Sequence, residues 1–263
     1  MPRPNRDNIK QWLDQSDVEF FTHFVKAWIP FNAWYRHTYD TLRTEREILD
    51  EVKSDGNRIR TRFMAKLDGG DPDSEEIRNH IAALHRRLSS DPLQDRNDNQ
   101  VSFESVCIGR NPQRIFSRTF YNWTYRVERQ NANNIVSTVT SPANAVTCTI
   151  TQTNGWDVDE FETHPSFMAL HTNKRGPFRQ CYAEANPFQF TSLLTTNPPP
   201  ADAMLMDGYH FVNDKYAIFA GLIEVLYCMR NLLFHGELVP DAQANRTYEP
   251  AYYLLRHLIR CIT

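Results

Sequence analysis

Apolar residues first recur with helical spacing from Ser16 to about Tyr39, where Phe20, Phe21, Phe24, Val25, Trp28 and Ile29 fall on one face. Ser16 precedes Glu19 by three residues, the arrangement of a capping box, and Pro30 predicts a kink. Residues 41–54 and 56–67 are charged with sparse apolar positions (Ile48, Val52, Ile59, Phe63, Leu67), which predicts an amphipathic helix running through both segments. A further helix opens at Asp73, capped toward Glu76, with Ile77, Ile81, Leu84 and Leu88 on one face, and the polar run SSDPLQDRNDNQ ends it.

From Val101 to about Asn154 the period changes to two. VSFESVCIG, TFYNWTYRVERQ, IVSTVTS and AVTCTITQTN are rich in β-branched and aromatic residues and are separated by Asn, Pro and Ser, which predicts a small antiparallel sheet. Residues 155–200 show no period and end in TTNPPPADA, read as a stiff loop or boundary. Helix returns over residues 213–234, stopped at Gly236, and again over 247–262. Helices, a β-rich middle and helices again define an α+β chain in which residues 1–100 and 205–263 form a helical bundle and 101–204 an inserted β-rich subdomain.

Composition narrows the class. The chain of 263 residues is 41% apolar, enough for one large core or two modest ones, so disordered and fibrous classes are excluded. The longest apolar run, Tyr216 to Met229, holds Gly221 and Glu224 and is short for a bilayer, and the first residues lack a signal-peptide pattern, so a cytoplasmic protein without a membrane partner is expected. Five cysteines, widely spaced and without a C-x-x-C pair, predict reduced thiols rather than disulfides or a cysteine zinc site. A net charge of −3 argues against a surface that grips nucleic acid everywhere, while leaving room for a local basic site.

The helix over 213–234 is apolar around most of its circumference, yet Glu224, Asn231 and His235 interrupt it. At about 100° per residue, Asn231 and His235 lie within about 20° of Glu224, so the three form one polar stripe, and the long side chain of Arg230 reaches toward the same groove. Such a stripe needs either neighbouring helices or an anionic ligand as partner. His235 stands at the helix C-terminus, where the macrodipole favours imidazolium, and Gly236 lets the chain leave. The alternative Arg/His pairing, Arg78 to His85, lies beside Arg86 and Arg87 in a charged helix and reads as a solvated face. Spacing alone does not choose between them.

The segment Y-C-M-R-N-L-L-F-H-G (Tyr227 to Gly236), together with F-V-K-A-W-I-P-F-N-A-W-Y (Phe24 to Tyr35), resembles the HEPN superfamily of small helical bundles, many of them metal-independent endoribonucleases. The first segment is similar to that family's R-N-x-x-x-H arrangement at the end of a long helix, and the second to its aromatic first helix. The resemblance covers roughly residues 10–90 and 205–263 and leaves the middle without a counterpart. It implies Arg230 and His235 as the catalytic pair and Asn231 as the residue orienting them. Beside these, Glu224 of the polar stripe and Asn32, Tyr35 and Glu237 are candidate substrate-binding or supporting residues. It also implies RNA as substrate, no cofactor or metal, a symmetric homodimer with a shared site, and a setting of antiphage defence or a toxin system with a regulatory or antitoxin protein. Where some members carry a modifiable tyrosine two residues after the histidine, this chain has Glu237, which disfavours silencing through that position. A non-catalytic nucleotide- or protein-binding module, or an adaptor subunit of a defence complex, is the alternative.

Three other groups are candidates. His164 and His171 flank Asp157, Asp159, Glu160 and Glu162, an acidic loop without tight ligand spacing. Phe120, Tyr121, Trp123 and Tyr125, interleaved with Arg118, Arg126 and Arg129, either stack bases or fill the inner face of the sheet. Asn32 and Tyr35 either support the site or satisfy helix contacts.

Overall fold

The computed structural model describes residues 19–94 and 100–262, so Ser16 and its half of the expected capping box lie outside them. The chain is α+β and divides into two compact units: Gly109–Gln189, and the described residues on either side of it.

The first unit is helical. α1 (Phe20–Thr38) buries Phe24, Trp28, Phe31 and Tyr35, the aromatic face legible in the sequence, and accommodates Pro30 within its length. α2 (Glu45–Ser54) opens with a capping box between Thr44 and Glu47. The helix expected to run on to residue 67 is broken instead, because the Asn57 side chain accepts from the Arg60 amide and starts α3 (Arg58–Asp68), while its own amide donates to the Val52 carbonyl at 2.8 Å. α4 (Pro72–Ser90) is capped by Asp71, two residues before the expected cap, with Pro72 in the first turn where a missing N–H costs nothing. After the insertion come α8 (Lys215–Phe234) and α9 (Ala242–Arg260); α9 starts earlier than expected because Asp241 accepts from the Gln243 and Ala244 amides.

α8 is the central rod of this unit. Its residues Ala217 to Leu226 are all buried, and Phe219 packs on Phe63 of α3 with ring centroids 5.8 Å apart. At 20 residues it is long and apolar enough to cross a membrane, contrary to the sequence expectation, but 67% of its apolar window is buried against its own unit. Gly221 is required here: a Cβ would come within 2.4 Å of Leu193 Cδ1 and 3.2 Å of Val106 Cγ1. Tyr248 of α9 ties three helices together, edge-on to Phe24 of α1 and donating its hydroxyl to the Met229 carbonyl of α8 at 2.7 Å.

The boundaries expected at 101 and 204 fall further in, since Val101, Phe103, Val106 and Leu193 are buried in the helical core. β1 (Val106–Arg110) pairs with a later strand, Phe188–Thr191, and the division between units falls inside both.

The second unit is an antiparallel meander in the order β2 (Ile115–Phe120), β3 (Trp123–Arg129), β4 (Ile135–Thr140), β5 (Val146–Gln152). Tyr125, Val127, Ile135, Val139, Cys148 and Ile150 bury one face. The region beyond residue 155, which shows no period in the sequence, holds three helices that cover that face: α5 (Val158–Thr163), α6 (Pro165–Met168) and α7 (Thr172–Glu184). Tyr182 of α7 lies between the Trp156 and Phe161 rings, each 3.9 Å away, and its hydroxyl donates to Gln152 Oε1 at 2.7 Å. The remaining strands are β6 (Phe188–Thr191) and a hairpin of β7 (Met204–Met206) with β8 (Tyr209–Phe211) in the first unit.

Candidate active site

The last turn of α8 carries Arg230 and Asn231, and the Arg230 guanidinium donates from Nη1 to Asn231 Oδ1 at 2.9 Å. The same Nη1 faces Glu45 Oε2, at the first turn of α2, at 3.5 Å. Glu45 is where α1, α2 and α8 converge: the Tyr35 hydroxyl donates to its Oε1, and Asn32 Nδ2 donates to the same oxygen at 3.2 Å and to the Tyr35 hydroxyl. The carboxylate is well placed at a helix N-terminus, where the macrodipole favours negative charge. Burial, then the Glu45 hydrogen bond and charge, push the Tyr35 phenol well above its ordinary value, so it remains a donor.

Three sequence candidates, Asn32, Tyr35 and Arg230, therefore meet on one carboxylate that the sequence reading did not select, and the fourth, Asn231, joins them through Arg230. Arg230 is further fixed by stacking on the Phe234 ring, 4.3 Å from the guanidinium carbon. Its Nε is buried and has no hydrogen-bond partner among the described residues, which leave this donor of the fork unused.

His235 caps α8. Its backbone amide closes on the Asn231 carbonyl at 2.9 Å, and Gly236 at φ +66° turns the chain so that the Glu237 amide reaches Leu232 O at 3.0 Å. This is a Schellman-type ending that needs the left-handed residue at position 236. The imidazole of His235 is exposed and makes no hydrogen bond or ion pair with the described residues.

Glu224 stands apart from this group. It is 7% exposed and accepts from Arg46 Nη1 at 2.6 Å and from the buried Lys53 Nζ at 3.0 Å, so neighbouring helices satisfy this part of the stripe. Burial opposes the charge on Arg46, but the Glu224 hydrogen bond and charge outweigh it and raise the guanidinium above its ordinary value. Glu237 contributes its backbone to the helix ending.

The rival Arg/His pairing dissolves into structure. Arg78 donates to the Leu67 and Gly69 carbonyls at 3.0 and 2.8 Å, closing α3. The solvated face expected around His85 is corrected: His85 is 4% exposed, edge-on to Tyr209 at 4.7 Å and to Phe211 and Phe103, and burial lowers its pKa.

In the second unit, His164 Nδ1 accepts from the Ser166 amide and His171 Nδ1 from Asn173, so both imidazoles cap short helices. Asp157 caps α5, and Glu162 pairs with Arg179. Tyr125 faces the core, while Arg118, Arg126 and Arg129 bond to Glu184, Glu128 and the Asn111 carbonyl. Phe120 and Tyr121 stay exposed at the tip of the β2–β3 hairpin.

Comparison with protein-family models, with curated proteins and with solved structures returns no match.

Proposed function

We propose that the chain is a metal-independent endoribonuclease of HEPN type that cleaves RNA by attack of the ribose 2′-hydroxyl, acting in antiphage defence or a toxin system. The observation that carries the reading is the Arg230 guanidinium, held between Asn231 and Glu45 in the same helix turn that ends in the exposed His235.

In the proposed reaction, His235 removes the proton from the 2′-hydroxyl. The 2′-oxygen then attacks the adjacent phosphorus, the bond to the 5′-oxygen breaks, and that oxygen leaves with a proton. Arg230 stabilises the charge that develops on the phosphoryl oxygens, and Asn231 and Glu45 keep the guanidinium from swinging away. The product is a 2′,3′-cyclic phosphate or its hydrolysed form. One imidazole cannot at once serve as base and acid, so the reading includes a symmetric homodimer in which a second His235 protonates the leaving oxygen. Phe234, 51% exposed beside Arg230, supplies apolar surface for that contact.

The test is RNA cleavage by Arg230→Ala and His235→Ala. Each is expected to lower the rate by about 10²- to 10⁴-fold, and the melting temperature of His235→Ala changes little, since His235 is exposed. Folded variants that cleave at the wild-type rate would refute the assignment.

A further inference from the structure

Between α4 and α9, one carboxylate lies between two imidazoles. Glu76 and His80 are one turn apart on α4, and His257 projects from α9. His80 Nε2 is 3.6 Å from Glu76 Oε1, and His257 Nε2 is 3.5 Å from Glu76 Oε2. The three ligand atoms lie within 4.8 Å of one another, and among the described residues no other trio of His, Cys, Asp and Glu does so.

These separations are too long for hydrogen bonds, which run about 2.7–3.2 Å for N–H···O. They are close to those around a shared ion that the carboxylate chelates: donors held about 2.0–2.1 Å from a tetrahedral zinc stand about 3.3–3.5 Å apart, and each imidazole here faces its own Glu76 oxygen. The side chains are also held in advance. His80 stacks on Tyr253 at 4.8 Å with an 8° interplanar angle, and His257 is 5% exposed. Glu76 is exposed, which gives an ion an entry path and leaves room for water in a remaining coordination position.

We propose that Glu76, His80 and His257 bind one divalent transition-metal cation, zinc by preference, which clamps α4 to α9. Two imidazoles and a carboxylate suit zinc and its first-row neighbours and suit magnesium or calcium poorly. The sequence reading named no metal ligand; the i, i+4 pair Glu76 and His80 was visible there, but nothing in the sequence joined His257 to it. This site stands independently of the ribonuclease reading, whose residues lie on other helix turns.

The test uses untagged full-length protein stripped with chelator and titrated with Co²⁺, whose visible bands report tetrahedral N/O ligation, followed by Zn²⁺ competition. One equivalent of Co²⁺ is expected to bind and be displaced by Zn²⁺, and Zn²⁺ is expected to raise the melting temperature. Glu76→Gln and His80→Asn are expected to weaken binding by more than the roughly 10- to 100-fold that losing an outer supporting partner costs. Glu76 is exposed, so its variant should fold. Folded wild-type protein that binds neither metal, or stoichiometric binding that survives both substitutions, would overturn the proposal.

Discussion

Glu45 Oε2 stands 3.5 Å from Arg230 Nη1 and joins the first turn of α2 to the last turn of α8. Because the Tyr35 hydroxyl and the Asn32 amide occupy the other oxygen, the carboxylate is fixed from both sides and its guanidinium partner is aimed. Glu45→Gln keeps the shape and removes the charge. Cleavage is expected to fall roughly 100-fold, as for a catalytic group displaced by about 1 Å, with little change in melting temperature. Tyr35→Phe, which leaves one buried acceptor under-satisfied, is expected to destabilise by about 1 kcal/mol. Steady-state kinetics beside thermal melts check both.

The two Arg/His pairings make opposite predictions. Substitutions at Arg230 and His235 act on cleavage, whereas His85→Ala empties a site lined by Tyr209, Phe211 and Phe103 and should cost about 1–3 kcal/mol of stability. Arg78→Ala loses two bonds to the end of α3, worth about 1–3 kcal/mol together. Denaturant unfolding of the four variants, paired with cleavage rates, separates them; a folded and inactive His85→Ala would move the site to α4.

Removing Glu224 takes one of two carboxylates from a buried cation. Lys53 is 6% exposed and keeps Asp50 at 2.9 Å, so Glu224→Ala is expected to cost about 1–3 kcal/mol, less than a fully stranded charge. Replacing Glu224 and Lys53 together by apolar residues of similar volume should recover much of that loss, which a double-mutant unfolding cycle measures.

How far the sequence reached follows the same physics. The aromatic face of α1, strands β3–β5 and the rod of α8 were legible because each repeats a period long enough to register. β2 was not, because the turn at Tyr121 and Asn122 lies inside the run TFYNWTYRVERQ, and β1, expected in the same sheet, pairs with β6 instead. α5 and α6 were not, since they are only six and four residues long and begin at caps formed by Asp157 and His164, and α7 was not, since Gly176 and Pro177 interrupt its pattern. Arg230 and Asn231 could be picked out on an otherwise apolar helix. Glu45 could not, being one acid among many in a charged helix whose partner lies far along the chain. Glu224 was legible as an oddity, but only packing shows that Arg46 and Lys53 satisfy it.

Stability at low pH is expected to depend on Asp71. Hydrogen bonds from Lys66, then Ser74, hold its carboxyl down at about 2, against an ordinary value of 3.8. The folded value is the lower one, so its contribution is complete above about pH 4 and lost as pH falls toward 2. The melting-temperature gap between wild type and Asp71→Asn should therefore be full at neutral pH and shrink through that window. A gap that does not change between pH 5 and pH 2 would show that the cap works without its charge.

The most direct measurement is cleavage of an RNA oligonucleotide carrying a single 2′-deoxyribose at the scissile position, in the presence of excess chelator. If His235 activates the 2′-hydroxyl and Arg230 stabilises the phosphoryl charge, cleavage at that position stops, while the all-ribose strand is still cut and ends in a 2′,3′-cyclic phosphate or its hydrolysed form. Cleavage of the deoxy-substituted position at the unmodified rate would contradict the account.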